Sequence, residues 1–318
     1  MRFLVTGANG FVGKPLCAEL LRQGHAVRAA VRSSAQLPDG AEAVAVGNID
    51  GDTDWADALQ GMEVVIHLAA RVHVMNDKAE DPSAEFLKVN LHGTENLARR
   101  AARAGVKRFV YVSSIKVNGE ETHGQRCYTE QDAPAPQDPY GVSKWQAEQA
   151  LWRIAQETKL EVVIVRPPLV YGPGVKGNFI SLLAAIDNGI PLPLAGAINE
   201  RSLVYVGNLA SALIACATHA AAAGQTYLVR DGENVSTALL VEKIASALGR
   251  KSRSFNLPPG LLRVAATVLG RSAQVDRLFG SLRVNDAKLR SELGWVPPFT
   301  LEQGLRITAD WYLGQRHG

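Results

Sequence analysis

Tyr140 and Lys144 stand four residues apart in the stretch "YGVSK". At the start of a helical segment that spacing puts both side chains on one face, one above the other. A free phenol titrates near pH ~10 and is a poor acid or base at neutrality. A nearby ammonium favours the phenolate and brings its titration towards the working range, and the same ammonium can hold a ribose hydroxyl. Earlier in the chain, "VSSIKVNG" closes the apolar run "RFVYV" with two serines. Either these serines only end a strand, or Ser114 takes part in the chemistry. Lys116 behind them is either a substrate contact or a solvated loop cation.

The elements that must position these groups alternate along the chain. The apolar runs "RFLVTG", "AVRAAVR", "AVAVGNI", "VVIHLAA", "RFVYVSS" and "VVIVRPP" are separated by helix-length segments, with helices expected over 14–23, 55–59, 94–104 and 143–157. Parallel strands need crossover connections and are buried on both faces, so this pattern predicts an α/β fold with a doubly wound parallel sheet. After Pro167 the rhythm changes to "RPPLVYGPGVKG" and "NGIPLPLAG". Residues 1–166 are therefore expected to form a dinucleotide-binding domain. Residues 167–318 are expected to form mainly a smaller α/β substrate-binding lobe, with some segments returning to the main sheet. The Ala-rich "ASALIACATHAAAAG" reads as a buried helix. "LLRVAATVLG" (261–270) is well short of the ~20 residues a membrane-spanning helix needs and reads as a packed helix.

Between the first strand and first helix lies "VTGANGFVG", which spaces Gly7, Gly10 and Gly13 by three. Glycines at these steps let the backbone turn tightly, approach a pyrophosphate and pack the helix on the sheet. The helix N-terminus then offers its amides to the phosphates. Gly7, Asn9, Gly10, Phe11, Val12 and Gly13 are accordingly expected at the cofactor. The end of the second strand selects the cofactor, with an acid for ribose hydroxyls or an arginine for a 2′-phosphate. Here Val31 stands where the acid is expected, followed by Arg32, Ser33 and Ser34. NADP(H) is favoured on this ground, with NAD(H) the alternative.

Bulk properties exclude several classes. The 34 Lys+Arg and 31 Asp+Glu are spread along the chain, leaving a formal charge of +3 with no basic tail or stripe for nucleic acid. The cysteines, Cys17, Cys127 and Cys216, are odd in number and far apart, so they suggest neither a disulfide framework nor a metal site. The start "MRFLVTG" lacks the features of a signal peptide, and a cytoplasmic location is expected.

Taken with "HLAA" after the fourth strand, "VN.GT.NL" (89–97), the paired serines, "VRPPLVYGPG", "RSLVYVGNLASAL" and "AKLRSELGWVPPFTLEQGL", the sequence resembles the extended short-chain dehydrogenase/reductases nearly end to end. That group includes nucleotide-sugar epimerases, dehydratases and reductases. The resemblance implies a Rossmann fold. It makes Ser114 the hydrogen-bonding partner of the reacting oxygen, Tyr140 the proton donor or acceptor, and Lys144 the group that tunes Tyr140 and binds the nicotinamide ribose. It places Asn48 and Ile49 around adenine, Leu68, Ala69 and Ala70 along the cofactor, and Pro167 near the nicotinamide. Asn178 and Arg201 match positions that hold the diphosphate of a UDP-sugar; Arg201 offers the planar fork of donors that phosphate oxygens accept. A second such arginine has only Arg277 and Arg283 as candidates, and Leu169 replaces an asparagine of many relatives. His73 and Met75 are either sugar contacts or ordinary loop residues. The helices at 94–104 and 143–157 resemble those that form a homodimer interface in the family.

A 4,6-dehydratase of this family carries consecutive Asp and Glu after the serine or threonine, where this chain has Ile115 and Lys116. An apolar side chain cannot protonate a leaving hydroxyl, so elimination is not expected. "ARVHVMND", "SSIKVNGE" and "VRPPLVYGPGVKGNF" look most like reductases of bacterial surface-polysaccharide (O-antigen) synthesis that act on UDP-4-keto-6-deoxy-N-acetylglucosamine. The expected reaction is reduction of the C4 ketone, giving UDP-N-acetylquinovosamine or UDP-N-acetylfucosamine. The alternatives are a UDP-hexose 4-epimerase with tightly bound NAD and a non-catalytic NADP-sensing protein.

Overall fold

The computed structural model describes residues 1–33, 36–72, 81–257 and 279–317. The expected helix at 261–270 and the candidates His73, Met75 and Arg277 lie outside them. Ten strands are described: β1 (Arg2–Thr6), β2 (Ala26–Val31), β3 (Glu42–Ala45), β4 (Val64–His67), β5 (Arg108–Val112), β6 (Glu161–Arg166), β7 (Leu169–Tyr171), β8 (Arg201–Tyr205), β9 (Thr226–Leu228) and β10 (Asn234–Val235). Seven of them form one parallel sheet in the order β3-β2-β1-β4-β5-β6-β9.

Burial on both faces explains why these strands are nearly unbroken apolar runs. In β1, Phe3 and Val5 pack with Leu16 and Leu20 of the helix Gly13–Arg22 and with Leu209 and Leu213 of Val206–Thr218. Leu4 points the other way, towards Leu97 and Ala101 of the helix Thr94–Arg103 and Leu151 and Ile154 of Pro139–Glu157. The doubly wound expectation is met. β1 is flanked by β2 on one side and β4 on the other, so the strand order reverses there and a crevice opens at their carboxyl ends.

Three local differences from the sequence reading have simple causes. The helix expected over 143–157 begins at Pro139, because Asp138 accepts a hydrogen bond from the Gly141 amide (2.7 Å) and proline at the first helical position sacrifices no bond. Tyr140 therefore stands in the first turn. The Ala-rich run is helical only over Val206–Thr218 and resumes as a single turn at Ala220–Ala222. The strand read into "AVAVGNI" covers only Glu42–Ala45 at the sheet edge.

Beyond Pro167 a second sheet has the order β10-β8-β7, while β9 returns to pair with β6. Tyr171, Phe179, Leu183, Leu240, Ile244, Leu301 and Leu305 form a separate core there, drawn from the helices Asn178–Asp187, Thr237–Ala247 and Leu301–His317. Asp231, buried just after β9, accepts hydrogen bonds from the Tyr171 hydroxyl (2.7 Å), the Tyr205 amide (2.8 Å) and Asn208 Nδ2 (2.7 Å). These bonds tie the second sheet to the last strand of the first. Among the described residues no helix is long and apolar enough to cross a membrane.

Candidate active site

The turn after β1 is built by the absence of side chains. A Cβ on Gly13 would lie 2.2 Å from the Gly7 carbonyl oxygen, and one on Gly7, at φ +66°, would lie 2.9 Å from the Ala69 amide nitrogen. The backbone therefore passes close over the ends of β1 and β4. No side chain caps the helix that begins at Gly13, which leaves its N-terminus available to an anion. Asn9 and Gly10 are exposed, and Phe11 and Val12 are half-buried against the core of the second sheet. A cradle of this kind fits the pyrophosphate of a dinucleotide.

Arg32 and Ser33 are exposed at the end of β2, with Val31 turned into the core. Asn48 is exposed and its carbonyl accepts from Thr53 Oγ1 (2.9 Å). Ile49 packs so tightly on the helix at Gly93 that a Cβ there would fall 2.6 Å from Ile49 Cγ2. Leu68, Ala69 and Ala70 are half-buried past the end of β4, and the Ala69 amide donates to Thr6 Oγ1 (3.2 Å). Pro167 is buried, and its carbonyl accepts from the Ile115 amide (3.0 Å), which ties the end of β6 to the Ser114 turn.

Tyr140 and Lys144 share a helix face as their spacing implied, and Ser114 lies beside them as the resemblance implied. Ser114 follows β5 and its Oγ accepts from the Lys116 amide (3.2 Å), capping the turn Ile115–Val117. The Ser114 hydroxyl lies close enough to the Tyr140 phenol to favour its ionised form. Lys144 is 2% exposed; its ammonium donates to the Val112 carbonyl (2.8 Å) and lies 4.6 Å from the Tyr111 ring centre and 5.9 Å from that of Tyr140. Burial draws the Lys144 ammonium down to about 7, against the opposing pull of Glu148. Burial, and then the charge of Asp138, pushes the Tyr140 phenol up, while the Ser114 hydroxyl lowers it. The phenol is therefore held above its ordinary value, not lowered as the four-residue spacing to an ammonium implied, because burial outweighs the neighbouring groups. A hydroxyl, a phenol and an ammonium near its neutral form still converge, the groups needed to move a proton on and off one oxygen.

Beneath this trio lies a layer that sequence reasoning missed. Glu148 is fully buried and accepts from Arg166 Nε (2.9 Å), Arg166 Nη2 (2.5 Å) and Ser113 Oγ (2.5 Å). Arg166 Nη1 continues to Asn118 Oδ1 (3.0 Å), and Asn118 Nδ2 to the Thr129 carbonyl (3.0 Å). Ser113 thus ends the strand and joins the buried pair, leaving Ser114 to face Tyr140. His67, fully buried, hydrogen-bonds Thr6 Oγ1 (2.6 Å) and Thr94 Oγ1 (3.0 Å) and stacks on Tyr111 at 5.8 Å. Burial, then the Lys144 charge, lowers its imidazole to about 3, so it is neutral. Asn90 sits in a π-helical stretch, Leu87–Gly93, and clasps the Arg71 backbone on both sides while donating to Ser143 Oγ (2.9 Å). Charged residues inside apolar runs, Arg166 in "VVIVRPP" and Glu148 four after Lys144, were the available signals.

The candidate sugar-side residues are placed less uniformly. Asn178 is exposed at the start of the helix Asn178–Asp187, directly after Gly177 at φ +65°. Arg201 opens β8 and donates to the Gly280 carbonyl (3.0 Å). Arg283 is buried, with Nη1 on Gln125 Oε1 (2.9 Å) and Nε 2.6 Å from Glu200 Oε2. Leu169 is exposed in β7. Lys116 is neither a solvated loop cation nor an uncommitted one: its half-buried ammonium pairs with Glu120 (2.9 Å) and with Asp138.

Residues 3–229 match the model of the NAD dependent epimerase/dehydratase family. The chain belongs to that family. It is 43% identical over 98% of its length to a UDP-glucose 4-epimerase of Vibrio cholerae, covering 95% of that protein. It is also 28% identical over 97% of its length to the N-acetyl-alpha-D-glucosaminyl-diphospho-ditrans,octacis-undecaprenol 4-epimerase of Escherichia coli O157:H7, covering 94% of that protein. Among solved structures, MoeE5 in complex with UDP-glucose and NAD superposes with a TM-score of 0.79 at 27% identity, covering 99% of this chain and all of the other.

Proposed function

We propose that the protein is a 4-epimerase of a UDP-hexose, UDP-glucose or UDP-N-acetylglucosamine, working with bound NAD. The observation that carries this reading is the convergence of Ser114, Tyr140 and Lys144 without the acid and base of a dehydratase: Ile115 is 4% exposed and turned into the core, and Lys116 is spent on two carboxylates. Similarity to two 4-epimerases that differ in sugar carrier supports the same carbon as the reacting centre. The reading displaces the C4 reduction expected from the sequence.

NAD, when bound, supplies a reversible acceptor for hydride. The residues to hold it are Gly7, Asn9, Gly10, Phe11, Val12 and Gly13 at the pyrophosphate, Arg32, Ser33, Asn48 and Ile49 at the adenosine end, and Leu68, Ala69, Ala70, Lys144 and Pro167 towards the nicotinamide. Tyr140 takes the proton of the C4 hydroxyl as the carbon is oxidised and returns it when the carbon is reduced from its other face. Ser114 holds the oxygen by a hydrogen bond through both halves, and the Lys144 ammonium stabilises the phenolate. Residues 167–318 make up most of the sugar-binding side, with Asn178 and Arg201 at the diphosphate. The outward faces of the helices Thr94–Arg103 and Pro139–Glu157 form a homodimer interface.

Incubating the protein with UDP-glucose or UDP-N-acetylglucosamine and reading the product by NMR tests the proposal. The expected result is the galacto epimer without added reductant. Arg32, exposed where an acid would select NAD, favours a second reading, the NADPH-dependent 4-reductase. Consumption of NADPH with UDP-4-keto-6-deoxy-N-acetylglucosamine, and no epimerisation, would establish that one instead.

A further inference from the structure

Asp138 stands two residues before Tyr140. Its Oδ1 accepts from the Gly141 amide (2.7 Å) and thereby starts the helix that carries Tyr140 and Lys144. Its Oδ2 receives the Lys116 ammonium, which Glu120 holds from the other side (2.9 Å). The loop of Lys116 and the start of that helix are in direct contact. A Cβ on Gly141 would fall 3.1 Å from the Lys116 carbonyl oxygen and 3.2 Å from Asp138 Oδ1, and the Ala135 amide donates to the Val117 carbonyl (2.9 Å).

We propose that Lys116 is a positioning residue for Tyr140: with Glu120 behind it, it clamps Asp138 as the helix cap and offsets that carboxylate's charge beside the phenol.

The groups around the phenol come from four elements and the loop after β4, which carries Arg71. Asp138 and Lys144 belong to its own helix, Ser114 to the turn after β5, Tyr111 to β5, and Phe86, with the Arg71 guanidinium 5.7 Å from its ring centre, to the helix Pro82–Phe86. Asp138 is the carboxylate that opposes ionisation of Tyr140. An opposing carboxylate beside a group that must become an anion is tolerable when a cation is locked onto it. Lys116 is that cation, so the side chain that replaces a dehydratase's acid or base acts on proton transfer through Asp138. The inference rests on Tyr140 being the proton-transfer group of the proposed function.

The test reads Tyr140 directly, as the near-ultraviolet phenolate absorbance of the protein with and without NAD, after subtraction of the Tyr140→Phe curve. Lys116→Met should raise the midpoint by about one unit, the lower end of what an uncompensated neighbouring charge produces. Lys116→Arg should restore it. Lys116→Gln, titrated in parallel, keeps the comparison available if the methionine variant does not fold. Asp138→Asn retains a capping side chain and removes the charge, so in that background Lys116→Met should leave the midpoint in place. A Lys116→Met midpoint at or below that of the wild type, or an equal rise in the Asp138→Asn background, overturns the inference. Shifted midpoints in a protein that epimerises neither UDP-sugar would leave the inference standing and remove the proposed reaction.

Discussion

The two ends of the candidate site are made in different ways. At the nucleotide end, backbone contacts and buried pairs fix the geometry: Gly7 and Gly13 have no room for a Cβ, Lys144 is 2% exposed, and Glu148 and Arg166 are locked together beneath it. At the sugar end, Asn178 is exposed at the head of a helix and Arg201 begins a strand in a sheet of three. The first end tolerates little at Gly7, Gly13, Lys144, Glu148 and Arg166, where backbone and side chains are already packed or paired. The second can exchange side chains with less strain.

The comparison breaks first at the glycines. Gly13→Ala forces backbone apart and is expected to abolish NAD retention, with a stability loss of about 3 kcal/mol or more. Gly177→Ala meets no atom within 4 Å and should cost only the ~1–3 kcal/mol of its strained backbone, with NAD still bound. Equilibrium dialysis and urea unfolding of the two variants decide it. Equal NAD loss in both would show that the two ends are not built differently.

Tyr140→Phe should lower turnover by roughly 10²–10⁴-fold with NAD affinity unchanged, as measured by kcat and by cofactor titration. Glu148→Gln leaves the Arg166 charge buried without its partner and should cost about 3–5 kcal/mol in urea unfolding. A cost near zero would mean that the layer under Lys144 is not what holds it. Arg201→Ala should weaken UDP binding by about tenfold, the worth of a charge-assisted hydrogen bond, and barely move Tm. Calorimetry with UDP reads the affinity, and an unchanged value would take Arg201 out of the site.

What the sequence made legible follows the same division. Alternating apolar runs, the glycine spacing, and Tyr140 four residues before Lys144 are local patterns whose geometry is fixed within one or two turns of chain. The parallel sheet and the pairing of Tyr140 with Lys144 could be read from them. The state of Lys116 could not, because Asp138 lies 22 residues away and reaches it only once the helix has docked on the loop. The pairs Glu148 with Arg166 and His67 with Thr94 are likewise tertiary. One signal was local and overlooked: Asp138 followed by Pro139 marks a helix start and places Tyr140 in the first turn. The reductase reading rested on Arg32, a single exposed side chain, and on the resemblance carried by "ARVHVMND", "SSIKVNGE" and "VRPPLVYGPGVKGNF"; similarity along the whole chain to 4-epimerases favours the alternative that the sequence also left open.

β9 pairs with β6 although the two are separated in sequence by β7, β8 and the helices between them. During synthesis the main sheet therefore emerges with β6 as a bare edge. That edge stays open until Thr226–Leu228 has left the ribosome and Asp231 has gathered Tyr171, Tyr205 and Asn208 behind it. An unpaired parallel strand of this apolarity invites pairing with another chain. The nascent protein is most exposed to misassembly in that interval, and chaperone dependence should concentrate there.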